Sequence, residues 1–246
     1  MSDQQSIQKG PVTFQNNNIE CIILAGGLGT RLRSSVPDLP KCMAPVAGKP
    51  FLTFVIDYLL QQGVNKFIFS LGYMHEIIED FLKNNYPNLH YQVALEEEPL
   101  GTGGAIFLSC KKASEKNVIV LNGDTLFNVN IKELLDYHTQ HNSSCTLSLK
   151  PMKQFDRYGV VEINQDGHIQ SFQEKNFYES GLINGGVYAL NVHEFVQMKF
   201  DDKFSFEKDY LEKYFSTKKM MGLVQDEYFI DIGIPEDFER AGKELL

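Results

Sequence analysis

The chain has 246 residues, 43% of them hydrophobic and 22% charged, which describes one sizeable globular core rather than a disordered or fibrous protein. Its formal net charge of −9 excludes the basic face that nucleic-acid binding needs. No apolar run approaches the length that spans a membrane, so neither nucleic acid nor a membrane is an expected partner.

Residues 1–18 are polar, end in a Gln-Asn-Asn-Asn run and lack the apolar core of a signal peptide. They are expected to form a flexible lead-in to residues 19–246. Cys21, Cys42, Cys110 and Cys145 share no metal-ligand spacing, and free thiols in a reducing cytoplasm is the better reading.

The apolar run Cys21-Ile22-Ile23-Leu24 predicts a buried strand that empties into Ala25-Gly26-Gly27-Leu28-Gly29-Thr30-Arg31-Leu32. Gly26, Gly27 and Gly29 lack the Cβ that would keep an anion from the backbone, and successive N–H groups in such a turn cradle phosphate oxygens. Arg31 adds a planar cation suited to phosphate. The third glycine of a dinucleotide fingerprint and the Gly-Lys-Ser/Thr of a P-loop are both missing, so this is a polyphosphate site of another kind.

Two prolines exclude helix interior from 34–40, and Pro40-Lys41 places one lysine beside an apolar run. Helical spacing predicts helices over 51–62, 76–83, 105–112 and 131–141, with strands over 64–70, 91–95 and 118–121 between them. This alternation argues for an α/β fold, a mostly parallel sheet with helices on both faces. Ligands bind beyond the carboxyl ends of such strands, where the glycine turn, the 96–104 loop and Asp124 converge. Strands over 145–149, 159–163, 169–174 and 183–190, with an Asn164-Gln165-Asp166-Gly167 turn, predict an antiparallel patch. A helical piece lies near 206–214, and Pro235 opens the last helix.

Asp124 and Asp231 each end a short strand. A pair of carboxylates beside a phosphate turn suits Mg²⁺, which takes one or two protein carboxylates with substrate phosphates. Lys41 and Lys175 are the cations set in motif-like surroundings. The Glu96-Glu97-Glu98-Pro99-Leu100-Gly101 loop offers acceptor-only carboxylates where the third strand ends. His138 and His141 share a helix face without a third ligand and are expected to face solvent.

These segments resemble the sugar-1-phosphate nucleotidyltransferases: the Leu24–Leu32 stretch with Pro40-Lys41-Cys42-Met43-Ala44-Pro45-Val46, then Asn122-Gly123-Asp124, Glu174-Lys175 and Asp231-Ile232-Gly233, in order over most of 19–246. The 96–105 segment, Phe155-Asp156-Arg157-Tyr158-Gly159, Leu182-Ile183-Asn184-Gly185-Gly186 and the 229–237 segment look most like the branch of guanylyltransferases that acts on D-glycero-α-D-manno-heptose 1-phosphate. The resemblance implies a Rossmann-like, GT-A-like nucleotide-diphospho-sugar transferase fold in one domain, with a nucleotide part over 19–144 and a sugar part over 145–246.

It also implies GMP transfer from GTP to the sugar 1-phosphate, with Mg²⁺ as cofactor, in the cytoplasm, toward a surface polysaccharide. The nucleotide would meet Leu24, Ala25, Gly26, Gly27, Gly29, Thr30, Arg31, Glu96, Gly101, Thr102, Asn122 and Gly123. Arg31, Lys41 and Lys175 would be catalytic, and Asp124 and Asp231 would hold the metal. Tyr158, Gly159, Glu174, Lys175, Asn184 and Gly185 would line the sugar pocket. Many relatives carry a C-terminal repeat or acetyltransferase domain, which a chain ending 15 residues after Asp231 is not expected to have. Oligomeric state is left open. Mannose-1-phosphate guanylyltransferase, a uridylyl or thymidylyl enzyme, and a catalytically inactive nucleotide-binding subunit are the alternatives. Retention of Arg31, Lys41, Asp124, Lys175 and Asp231 argues against the last.

Overall fold

A computed structural model describes residues 18–27 and 38–246. Leu28, Gly29, Thr30, Arg31 and residues 1–17 therefore lie outside the described residues. In chain order the elements are β1 (Glu20–Leu24), a 3₁₀ turn (Lys41–Met43), β2 (Pro45–Val46), β3 (Lys49–Pro50), α1 (Phe51–Gln61), β4 (Lys66–Leu71), α2 (His75–Asn85), β5 (Tyr91–Leu95), α3 (Gly101–Cys110) and β6 (Asn117–Asn122). There follow β7 (Thr125–Phe127), α4 (Ile131–Gln140), β8 (Cys145–Phe155), β9 (Val161–Ile163), β10 (Ile169–Phe172), β11 (Tyr178–Asn191) and α5 (Val192–Val196). A π-helical turn (Phe206–Leu211) continues into α6 (Glu212–Tyr214), and β12 (Met220–Val224), β13 (Phe229–Asp231) and α7 (Pro235–Glu244) complete the order.

Seven strands form the central sheet in the order β12-β8-β11-β6-β1-β4-β5. Neighbouring pairs β6–β1, β1–β4, β4–β5 and β8–β12 are parallel, and among the described strands of this sheet only β11 runs against the others. Alternation along β1 sends Cys21 and Ile23 to one face and Ile22 to the other, and all are fully buried. Helices α1, α2, α4 and α7 cover the first face; α3, α5 and the π-helical turn cover the second. A strand with both faces covered must be apolar at every position, which is why β1 and β6 read as unbroken hydrophobic runs.

The antiparallel part differs from a separate patch. The inner halves of β8 and β11 belong to the central sheet, and their outer halves continue together as far as the Tyr178–Phe155 pair. The register slips between Asn184 and Tyr188, where Gly185 and Gly186 form a bulge and Gly186 takes φ +73°. The 164–167 turn is as expected: Asn164 Oδ1 accepts from the Asp166 and His168 amides, and Gly167 takes φ +82°.

Three expectations need correction. Helix α3 begins at Gly101 rather than near 105, because a distant segment packs onto its glycine-rich first turn. Strand β12 was unexpected, since Met220-Met221-Gly222 lacks the β-branched residues that mark a strand and gains its order by pairing with β8. His138 is buried, not solvent-facing, because α4 turns it against β8, where its Nδ1 lies 2.9 Å from Thr146 Oγ1. All four cysteines are buried and free.

Burial lowers the His138 pKa to about 4, because the folded protein excludes water from the charged ring and its Nε2 has no partner. The unfolded chain takes up this proton near pH 6.5, so the group's stabilising share is intact above that pH and is lost as pH falls toward 4. Between pH 7.5 and 4.5 the wild type should lose on the order of 2–3 kcal/mol that a His138→Gln variant keeps. Urea unfolding of both proteins at each pH measures this; equal acid sensitivity would mean that His138 is not neutral in the fold.

Candidate functional site

A cleft of about 590 Å³ lies beyond the carboxyl ends of β1, β5 and β6. Its walls bring together Leu24, Ala25, Gly26 and Gly27 after β1, Lys41, Glu96 after β5, Gly101 and Thr102 of α3, Asn122 and Asp124 after β6, and Asp231. These residues are far apart in sequence, and the fold assembles them.

Two short devices set the charged centre. Strand β13 pairs antiparallel with β7 so that Asp231 faces Thr125, and the Ile232 amide donates to the Asp124 carbonyl at 3.1 Å. This pairing puts Asp124 and Asp231 side by side. The 3₁₀ turn buries Cys42 and Met43 and leaves Lys41 to reach the cleft. Its Nζ forms an ion pair with Asp124 Oδ2 and lies 3.7 Å from Asp231 Oδ1. Asp231 also accepts from the Gly233 amide at 2.8 Å.

Burial pushes the Asp231 carboxyl above the usual carboxylate range and the neighbouring Asp124 charge adds to this, while Lys41, the Gly233 amide and Arg157 oppose it. Two carboxylates sharing one ammonium form a centre short of positive charge. Oxygen ligands in that number suit Mg²⁺, whose remaining positions go to phosphate and water. Among the described residues no group of three or more His, Cys, Asp or Glu could hold a metal, so these two carboxylates are the donors to consider.

The glycine turn is tight at Gly26. The Ala25 amide donates to the Ser70 carbonyl at 2.9 Å, which carries β1 out over the sheet edge. A Cβ on Gly26 would stand 2.8 Å from Glu96 Oε1 and 3.0 Å from the Gly72 amide, so glycine is required there. Gly123 donates to the Leu24 carbonyl at 2.8 Å. Glu96 accepts from the Leu100 amide at 3.0 Å through Oε2, and Ser70 Oγ is 3.4 Å from Oε1. Its carboxyl is raised by burial, with those two donors opposing the rise. Glu96 thus ties the turn, β4 and the 96–101 loop together while lining the cleft.

The expected sugar-side residues are not gathered in the same way. Tyr158, Gly159, Glu174, Lys175, Asn184 and Gly185 do not line the 590 Å³ cleft. Tyr158 packs edge-on against Phe229 at 5.9 Å, and burial with the nearby Asp231 charge pushes its phenol up to about 12. Arg157 lies over the Tyr158 ring at 5.5 Å and pairs with Asp237 of α7. A Cβ on Gly159 would stand 2.2 Å from the Gln173 carbonyl, which brings the 158–159 and 173–175 segments side by side. Glu174 and Lys175 are exposed. Asn184 is occupied within its own bulge, accepting from Gly186 N at 3.0 Å and donating to Tyr188 Oη at 2.9 Å. Gly185 abuts the Phe127 ring.

Sequence reasoning missed Cys42, Pro99, Ala105, Thr125 and Gly233 on the cleft wall. All five flank or lie within segments already singled out.

A model of the family described as nucleotidyl transferase matches residues 20–246. D-glycero-alpha-D-manno-heptose 1-phosphate guanylyltransferase of Aneurinibacillus thermoaerophilus is 49% identical over 227 residues, covering 92% of this chain and 98% of that protein. The protein of the same name from Campylobacter jejuni is 42% identical over 89% of this chain and 97% of its own length. The crystal structure of HddC from Yersinia pseudotuberculosis superposes with a TM-score of 0.84 at 40% identity, covering 93% of this chain and 100% of that one, and another crystal structure of HddC is complexed with GMP-PN. The α/β architecture is that of the nucleotide-diphospho-sugar transferase fold, and the chain belongs to the nucleotidyl transferase family.

Proposed function

We propose that this protein transfers GMP from GTP to D-glycero-α-D-manno-heptose 1-phosphate, giving GDP-heptose and pyrophosphate. The observation that carries the reading is the cleft itself, where Lys41 stands between Asp124 and Asp231 beside a glycine turn. Choice of guanine and heptose rests on two relatives of that name matched over nearly their whole length.

In this reaction an oxygen of the sugar phosphate attacks the α-phosphorus, a new P–O bond forms, and the bond to the β-phosphate oxygen breaks. The nucleophile is already anionic at neutral pH, so no protein base is required. The obstacle is repulsion between anions, which a preorganised set of cations and amides removes. The amides of Gly26 and Gly27, with Gly29, Thr30 and Arg31, take the triphosphate, and Lys41 supplies positive charge at the reacting phosphates. Asp124 and Asp231 would hold Mg²⁺, which when bound neutralises phosphate charge and fixes its orientation.

Glu96 accepts from the guanine ring N–H and amine with the lone pairs left by Leu100 and Ser70. Leu24, Ala25, Gly101, Thr102, Asn122 and Gly123 complete the nucleotide wall. Lys175 meets the sugar phosphate, and Tyr158, Gly159, Glu174, Asn184 and Gly185 shape the sugar side. On this reading residues 19–246 act as one catalytic unit, 19–144 for nucleotide and 145–246 for sugar. The enzyme works in the cytoplasm on a precursor of surface polysaccharide; no helix among the described residues is long and apolar enough to cross a membrane.

The test is pyrophosphate release from a panel of GTP, ATP, UTP and dTTP against heptose, mannose and glucose 1-phosphates. GTP with the heptose 1-phosphate should give the highest kcat/KM; preference for another pair would overturn the assignment. Asp124→Asn and Asp231→Asn should each nearly abolish turnover with an unchanged far-UV circular dichroism spectrum, and near-normal activity at limiting Mg²⁺ would remove that residue from the metal site. Lys175→Ala should raise KM for the sugar phosphate far more than KM for GTP, with some loss of kcat. Equal effects on both substrates would place Lys175 elsewhere.

A further inference from the structure

The first turn of α3 is gripped by a segment a hundred residues further along the chain. The Phe204 amide donates to the Leu100 carbonyl at 3.0 Å, and the Gly103 amide donates to the Phe204 carbonyl at 3.0 Å. Thr102 Oγ1 donates to Glu207 Oε2 at 2.8 Å and accepts from the Phe206 amide at 2.9 Å. Ser205 Oγ donates to the same Glu207 oxygen at 3.1 Å. There is no slack between the two segments. A Cβ on Gly101, which takes φ +74°, would stand 2.5 Å from the Phe204 carbonyl oxygen, and one on Gly103 would stand 2.2 Å from the Phe204 ring.

The gripping segment is itself anchored. Phe204 stacks on Phe200 at 4.2 Å, and Phe206 packs edge-on against Tyr188 of β11 at 5.1 Å. At the other end of the gripped turn, the Leu100 amide donates to Glu96. A continuous path therefore runs from Glu207 through Thr102 and Leu100 to Glu96. Thr102 and Glu96 line the cleft; Glu207 does not. Thr102 has a single hydroxyl proton, and Glu207 takes it, so this hydroxyl has no donor left for a ligand.

We infer that Glu207 is a positioning residue for the nucleotide: through Thr102 it holds the 96–102 loop where the base is read, without touching the base. The inference rests on reading the cleft as the GTP site. It makes base selectivity depend on the half of the chain that also carries the sugar-side strands.

Calorimetric titration of the full-length protein with GTP and with ATP tests it, together with KM for the sugar phosphate. Glu207→Ala should weaken GTP binding by about tenfold, which is about 1.4 kcal/mol. It should narrow the GTP-to-ATP ratio and leave KM for the sugar phosphate within about twofold. Glu207→Gln keeps an amide oxygen that accepts from Thr102 and should retain most of the affinity and selectivity. Thr102→Val breaks the same link from the other side, serves if Glu207→Ala does not fold, and should be non-additive with it. A Glu207→Ala protein with a lowered Tm but unchanged GTP affinity and selectivity would overturn the inference alone. A wild type that binds no GTP would overturn the reading of the cleft and this inference with it.

Discussion

Lys41, Asp124 and Asp231 meet at one point of the cleft, and the rest of the molecule is arranged so that they can. Two carboxylates held side by side repel each other, and burial makes that repulsion stronger, as the raised carboxyl of Asp231 records. One ammonium between them is the compensation available in the chain itself. The pairing of β13 with β7 and the 3₁₀ turn around Lys41 leave these side chains little choice of position. A centre of this kind is poised to receive further positive charge and, through it, a polyanion. That accounts for how an acidic protein can bind nucleoside triphosphates: the favourable field is local.

The central sheet supplies the rigidity. Strands β1, β4 and β6 are sealed on both faces and the edge strand β5 is held by its pairing with β4, so their carboxyl ends project loops from fixed points. The turn after β1, Glu96 after β5 and Asp124 after β6 are three such loops, and the bonds Ala25–Ser70, Ser70–Glu96, Leu100–Glu96 and Gly123–Leu24 lock them to one another. The sugar-side residues stand differently. They sit on the outer halves of β8 and β11 and on the loops beside them, away from the cleft wall. Arg157 joins that side to α7 through Asp237, and the 202–207 segment joins it to α3. The two parts are thus coupled through backbone and ion pairs and at the cleft itself, where Asp231 and Gly233 join the residues of the first part.

Much of this was legible in the residues. Strands β1 and β6 announce themselves because burial on two faces demands apolar residues along their length, and the start of the glycine turn because no side chain fits at Gly26. Asp124 and Asp231 could be placed at strand ends, but their closeness could not be derived, since it depends on a three-residue pairing of β7 with β13 that no periodicity reveals. The start of α3 was placed too late for a related reason: Gly101, Thr102, Gly103 and Gly104 are poor helix formers by themselves and are helical here because Phe204 and Glu207 hold them. His138 continues the Ile131–Leu134–Leu135 stripe of α4 at the i+7 position, so its burial against β8 was legible in the helical spacing and was missed because histidine is polar. Asn184 was singled out for a ligand, and its amide also stabilises the bulge, with one N–H and one lone pair engaged there.

The central claim is that Asp124 and Asp231 form one cation site serving the triphosphate, with Lys41 contributing charge beside it. Its most direct test is a crystal structure with Mn²⁺ and a non-hydrolysable GTP analogue, the metal located by its anomalous scattering. The account predicts a Mn²⁺ peak bound by both carboxylates and by phosphate oxygens, with the analogue's phosphates against the Gly26 and Gly27 amides. A Mn²⁺ peak away from these carboxylates, with Lys41 still paired to Asp124 and the triphosphate outside the cleft, would contradict it.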